Sequence, residues 1–119
     1  MLICITAQGS GLDAAVDPTF GRAKYFVFAD SETLSMDAVE NAPGAHGAGV
    51  QAAQRVADKR AAAVVTGNVG PNAFQGLAAA GVAVYVGASG TVREAIEAFR
   101  EGRLQRAEGP SGRGHRGGL

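Results

Sequence analysis

Residues 61–76 read Ala-Ala-Ala-Val-Val-Thr-Gly-Asn-Val-Gly-Pro-Asn-Ala-Phe-Gln-Gly, an apolar strand that turns through Gly67 and Gly70 straight into a helix opened by Pro71. Such a junction fixes much of what the rest of the chain can be. A strand that runs directly into a helix belongs to a layered α/β domain. The helix start leaves its first N–H groups without intrahelical partners and carries the positive end of the peptide dipole. A loop with little side chain there can bring backbone donors against an anion. Pro71 suits the first helical position because the N–H it lacks would have been an orphan.

The pattern continues as strand, helix, strand, helix over residues 62–66, 71–80, 82–86 and 91–101. The first of these helices places Phe74, Leu77 and Ala78 on one side and stops at Gly81. The second opens on Thr91-Val92-Arg93-Glu94, a capping box, and turns Val92, Ala95, Ile96 and Phe99 inward. Upstream, residues 2–5 are apolar without alternation, as in a central strand covered on both faces. Residues 24–29 and 33–39 read as a hairpin whose second strand, with Leu34, Met36 and Ala38 alternating against Ser35 and Asp37, is half exposed. A helix follows, with Val50, Ala53, Val56 and Ala57 at helical spacing and Lys59 and Arg60 at its C-terminal end. These elements predict an α/β domain with a mixed sheet of about five strands, an antiparallel hairpin joined to a parallel βαβαβ unit, and ligands beyond the carboxyl ends of the parallel strands.

At 119 residues the chain is expected to form one domain over residues 1–107. Residues 108–119 are rich in glycine and arginine and read as a disordered tail. Lys and Arg balance Asp and Glu, 11 against 11. No basic stripe runs along a helix, so nucleic acid is not expected as a partner. The longest mostly apolar stretch, residues 77–86, is far below the ~18–20 residues of a membrane span, and the expected location is the cytoplasm. Cys4 is the lone cysteine and sits mid-strand, which excludes an internal disulfide and the several thiolates of ordinary iron-sulfur ligation.

Two strand-to-helix loops, residues 66–72 and 86–91, are expected to form adjoining anion nests, with Gly67, Gly70 and Gly90 bringing backbone close and Asn68, Asn72, Ser89 and Thr91 adding side-chain donors. Ordinary turn chemistry explains the same residues. Neither loop matches G-x-x-x-x-G-K-S/T or G-x-G-x-x-G, so a nucleotide is not specifically indicated. His46 lies among glycines, including Gly47, and reads either as a metal ligand or as a solvated loop histidine. Without Cys, Asp or Glu at ligand spacing it makes no zinc site. His115 has the same chemistry in the tail. Arg22 reads either as a cation for an anion at the sheet edge or as part of a turn in which Phe20 enters the core. No Ser/His/Asp or Cys/His set stands out, and the first strand carries no acid for metal-assisted phosphoryl transfer.

Taken in order, Val16-Asp-Pro-Thr-Phe-Gly-Arg-Ala-Lys-Tyr-Phe26, Gly47-Ala-Gly-Val-Gln-Ala-Ala53, the run Val64 to Phe74, Ala80-Gly-Val-Ala-Val-Tyr85 and Ser89-Gly-Thr-Val-Arg-Glu-Ala95 resemble the dinitrogenase iron-molybdenum cofactor-binding family, of NifX type. The resemblance covers about residues 1–107. It implies a ribonuclease-H-like domain without nuclease activity, one that carries or helps assemble a metal-sulfur cluster containing molybdenum with iron or copper, and that meets cluster donor or acceptor proteins. Many members place a histidine where this chain has Thr19, which leaves His46 as the candidate metal ligand. The tail supplies no thiolate either. The implied site therefore holds an anionic cluster largely without covalent bonds, through Arg22, His46, Gly47, Gly67, Asn68, Gly70, Asn72, Ser89 and Gly90. Two rival readings stay open: a phosphate-ester-binding or hydrolytic enzyme using the same loops, and a regulatory module that docks a protein on the outer strand.

Overall fold

Apolar side chains on both faces of the first strand require cover above and below, and the computed structural model supplies it. The structure describes residues 1–41 and 48–109. Its strands are β1 (Leu2–Ala7), β2 (Tyr25–Asp30), β3 (Met36–Glu40), β4 (Ala63–Val65), β5 (Ala83–Val86) and β6 (Gln105–Arg106), and its helices are α1 (Ala48–Asp58), α2 (Pro71–Ala79) and α3 (Val92–Arg100). The strands form one mixed sheet in the order β3-β2-β1-β4-β5-β6. β4 pairs in parallel with β1 and with β5, while β2, β3 and β6 pair antiparallel with their neighbours.

Strand alternation sorts the core into two layers. Cys4, Phe26, Phe28, Val64 and Val84 pack with Ala52, Ala53 and Val56 of α1 and Leu77 of α2. Ile3, Ile5, Val27 and Val65 pack with Val92, Ala95 and Ile96 of α3. The small residues allow a close α1–α2 approach, since a Cβ on Gly76 would lie 3.1 Å from the Ala53 Cβ. Cys4 is fully buried, and burial pushes its thiol pKa upward, so it serves as an apolar filler. Gly81, at φ +78°, follows α2 in the left-handed conformation its position in the sequence predicts.

Two expectations are corrected. The outer strand starts at Met36 rather than Thr33, because residues 31–35 make the turn. There the Asp30 carboxylate accepts the N–H groups of Glu32 at 2.8 Å and Thr33 at 3.0 Å, which hold its pKa below the usual carboxylate value. Leu34, at φ 65°, reverses the chain. A sixth strand, β6, joins the outer side of β5 after Gly102 turns the chain at φ +71°. Two exposed polar residues carry no period that sequence reasoning could detect. The segment between β1 and β2 is also stitched to the sheet edge, by the bridges Ala7↔Val16, Ala15↔Thr91 and Thr19↔Asn68.

The register places the site. Ala7 faces Tyr25 and Tyr25 faces Glu40, so β3 ends at the same edge as β1, β4 and β5. The segments after Ala7, Glu40, Val65 and Val86 therefore all leave from one edge. α3 is the one described helix on its face of the sheet, and Ile96 is fully buried beneath it. Ile96→Ala should lower unfolding free energy by about 2–5 kcal/mol, measured by urea titration, with unchanged far-ultraviolet circular dichroism in water.

Candidate functional site

A buried threonine lies near the carboxyl end of each central strand, Thr6 just before the end of β1 and Thr66 just after β4. Thr6 and Thr66 are fully buried, and the register that pairs Cys4 with Val64 and Ile5 with Val65 sets them side by side on the α1–α2 face. Thr6 Oγ1 lies 2.7 Å from the Asp17 carbonyl oxygen and 2.8 Å from Thr66 Oγ1. A carbonyl only accepts and a hydroxyl has one proton, so Thr6 donates to Asp17 and Thr66 donates to Thr6. The Asp17 N–H returns to the Thr6 carbonyl at 2.9 Å, so both backbone polar groups of Asp17 are gripped by one residue.

This grip lays residues 17–20 as a strap across the ends of β1 and β4. Pro18 C=O accepts the Asn68 N–H at 2.8 Å, and the Phe20 N–H donates to Asn68 C=O at 3.3 Å. Phe20 sinks fully into the core and stacks on Phe26 with ring centroids 5.5 Å apart. Gly67 lies directly beneath: a Cβ there would sit 2.6 Å from the Pro18 oxygen. Its missing side chain is thus demanded by the strap, which is a different reason from the backbone donor role the sequence suggests. The strap ends in a turn at Arg22, held by Asn41, whose Nδ2 donates to Ala23 C=O at 2.8 Å. Arg22 is exposed and forms no ion pair among the described residues.

The two loops expected to act as adjoining nests differ. At α3 the N–H groups of residues 91–94 are occupied. Thr91 Oγ1 accepts the Glu94 N–H at 3.1 Å, and Glu94 Oε1 accepts the Thr91 N–H at 2.8 Å. The Val92 and Arg93 N–H groups donate to Ala14 and Leu12 carbonyls, each at 2.9 Å, while Gly87 and Ala88 donate to Gly67 and Thr66. Ser89 and Gly90 line a cleft of about 430 Å³ shared with Glu94, Glu97 and Arg103, where carboxylates outnumber the single guanidinium. An anion is therefore not favoured in that cleft, and the two loops do not present matching sets of donors.

At α2 the Asn72 and Ala73 N–H groups have no acceptor among the described residues. Gly70 stands at the cap with φ −80° and ψ 173° and offers no side chain, Pro71 has no N–H, and no side chain caps the helix. The Asn72 and Ala73 N–H groups precede the Phe74 N–H, whose bond to Gly70 C=O at 3.0 Å closes the first turn. Asn72 is exposed and Asn68 half-buried, and neither side-chain amide makes a hydrogen bond among the described residues. Gly67, Asn68, Gly70 and Asn72 are thus brought together; Arg22 lies at the same edge, after the strap that bonds to Asn68. His46 and Gly47 fall outside the described residues, as do residues 110–119 with His115.

No group of three or more His, Cys, Asp or Glu able to hold a metal ion occurs among the described residues. What is available is a set of amide donors with one cation, suited to a bulky anion that brings its own ligands. Reading the sequence missed Thr6, Thr66 and Asn41. The signal was present in part: two otherwise apolar runs, residues 2–7 and 61–66, each carry a threonine near the carboxyl end where the parallel pairing would align them.

Comparison with known proteins agrees in family and fold. A family model described as dinitrogenase iron-molybdenum cofactor matches residues 1–102. The apo form of the orange protein from Desulfovibrio gigas superimposes with a TM-score of 0.89 at 44% identity, covering 93% of this chain and 96% of that one. A Thermotoga protein of the DUF35 family, described as a candidate NifB protein, gives a TM-score of 0.83 at 40% identity over 95% of this chain and 98% of its own. An uncharacterized protein of Methanocaldococcus jannaschii is 30% identical over 98 residues, 78% of this chain and 83% of that protein. Among the described residues no helix is long and apolar enough to cross a membrane.

Gly67→Ala must displace the Pro18 backbone and should cost about 1–3 kcal/mol. Gly70→Ala, whose added Cβ meets nothing within 4 Å, should stay within about 0.5 kcal/mol. Thermal unfolding of the two variants side by side checks the contrast.

Proposed function

The chain belongs to the dinitrogenase iron-molybdenum cofactor family, and from that premise we propose that it is a cytoplasmic carrier, not an enzyme, whose cargo is an anionic metal-sulfur cluster containing molybdenum with iron or copper. The cargo rests on the uncapped N-terminus of α2 and is held largely without covalent bonds. The observation that carries this reading is the contrast between the two helix starts: α3 is sealed by its capping box and by Leu12 and Ala14, whereas the Asn72 and Ala73 N–H groups of α2 have no acceptor among the described residues.

Each residue has a physical part. The Asn72 and Ala73 N–H groups and the α2 dipole face negative charge. The Asn68 and Asn72 side-chain amides add donors at the rim. The backbone at Gly67 and Gly70 lets a large guest come close, and Arg22 supplies the charge-assisted bond. His46, with Gly47, supplies an imidazole to a metal of the cluster from the segment that follows Asn41. Ser89 and Gly90 are left outside the binding set. A thiometallate carries its own sulfides, so a fully buried Cys4 is no obstacle. The sheet order β3-β2-β1-β4-β5 supports the ribonuclease-H-like reading of the domain. A carrier of this kind takes cluster from one protein and yields it to another, and a site built from amides rather than thiolates suits release.

The test mixes the protein, under anaerobic conditions, with tetrathiomolybdate, with and without copper. The expected result is a visible absorption that co-elutes with protein on gel filtration; colour confined to the small-molecule fraction overturns the reading. Losing one charge-assisted contact costs about 1.5–3 kcal/mol, so Arg22→Ala should weaken retention by about tenfold or more. Retention in His46→Ala should also fall, and unchanged affinity would remove the imidazole from the site. A thermal shift with sugar phosphates but none with thiomolybdate would favour a phosphate-ester ligand instead.

A further inference from the structure

The structure assigns Thr6 and Thr66 as positioning residues for this site, a role that rests on the cargo reading above. Neither reaches the edge itself, since both are fully buried. Strands with apolar cover on both faces ordinarily use valine or isoleucine at such positions, as Val64 and Val65 do on β4. Two buried hydroxyls forgo solvation and must be matched by partners. Here the matching runs in one direction: Thr66 O–H to Thr6 Oγ1, then Thr6 O–H to Asp17 C=O, with the Asp17 N–H returning to Thr6 C=O. The chain of bonds ends on the strap and nowhere else.

Its consequence passes through two contacts. With Asp17 fixed, Pro18 C=O stands over Gly67 and takes the Asn68 N–H, which sets the orientation of residues 67–70 leading into the open helix start. On the other side Phe20 is seated against Phe26, and the turn that presents Arg22 follows directly. The hydroxyl pair therefore controls how the cation and the open amides stand relative to each other. Arg22, Gly67, Asn68, Gly70 and Asn72 are the residues it positions.

A merely structural role and a positioning role separate in the double variant Thr6→Val/Thr66→Val. It removes both hydroxyls, so no buried donor is stranded and packing volume is kept, but Asp17 C=O loses its hold. Three readouts are taken on the purified full-length chain: melting temperature, hydrogen exchange of the Asp17 and Asn68 amides, and tetrathiomolybdate affinity. The expected result for the double variant is a melting temperature recovered above that of Thr6→Val, exchange at Asn68 faster by about tenfold, and affinity still weaker by about tenfold. Thr6→Ser, which keeps the hydroxyl, should return affinity to within about threefold of the parent. The inference is overturned if the double variant binds like the parent, or if Thr6→Ser is as weak as Thr6→Val. Should the parent itself retain no tetrathiomolybdate, the cargo reading fails, and amide exchange alone then decides: unchanged protection of Asn68 in the double variant overturns the clamp, and faster exchange sustains it.

Discussion

Parallel pairing of β1 with β4 sets the carboxyl ends of the two central strands side by side, and the whole ligand edge hangs on that junction. Neighbouring strands stand about 4.8 Å apart, close enough for threonines in register to share a hydrogen bond. The shared bond then reaches out to Asp17. From Asp17 onward each strap residue is fixed in turn: Pro18 by Asn68, Thr19 by the Asp17 carboxylate within the strap, Phe20 by the core. Remove the pairing and there is no surface on which the strap could lie.

The same strap explains why two similar strand-to-helix crossovers behave differently. Residues 11–16, drawn in by the Ala7↔Val16 bridge, place the Leu12 and Ala14 carbonyls on the first N–H groups of α3. Those carbonyls occupy the positions an anion would take, and the Thr91–Glu94 box takes the others. Among the described residues α2 receives no such cover, because the strap passes over Gly67 and leaves at Phe20, short of the helix start. A helix start without a capping side chain, at the same sheet edge as a guanidinium that has no ion pair among the described residues, makes a local positive field in a chain of zero net charge. The proposed preference for an anionic guest rests on what the described residues leave uncovered.

Much of the fold was legible because the periods were long and unambiguous. The capping box at Thr91, the stop at Gly81, the strand-to-helix step at Gly70 and Pro71, and the unbroken apolar run of β1 each reported a local preference that the tertiary structure keeps. The failures have a different character. Residues 33–35 alternate as a strand should, yet the Asp30 carboxylate bonds two amides in the turn and draws them out of the sheet. β6 is two polar residues long and exists because β5 has an unpaired edge. The strap carries no repeating pattern at all; its bonds join residues 11 and 50 positions apart, distances over which sequence spacing holds no information.

What the amino-acid order determined by itself was set by contacts within a few residues: which segments are strands and helices, that Gly67 and Gly70 flank a helix start, that Cys4 is inert filler, and that Arg22 stands beside the core residue Phe20. Only the tertiary structure decided which of two matching helix starts stays open, that Gly67 must lack a side chain to pass under Pro18, and that a pair of buried threonines anchors the edge. The physical reason is that backbone N–H groups are identical everywhere in the sequence. Whether one is free depends on which carbonyl the folded chain carries to it, and that is settled by packing between segments that are remote from one another along the chain.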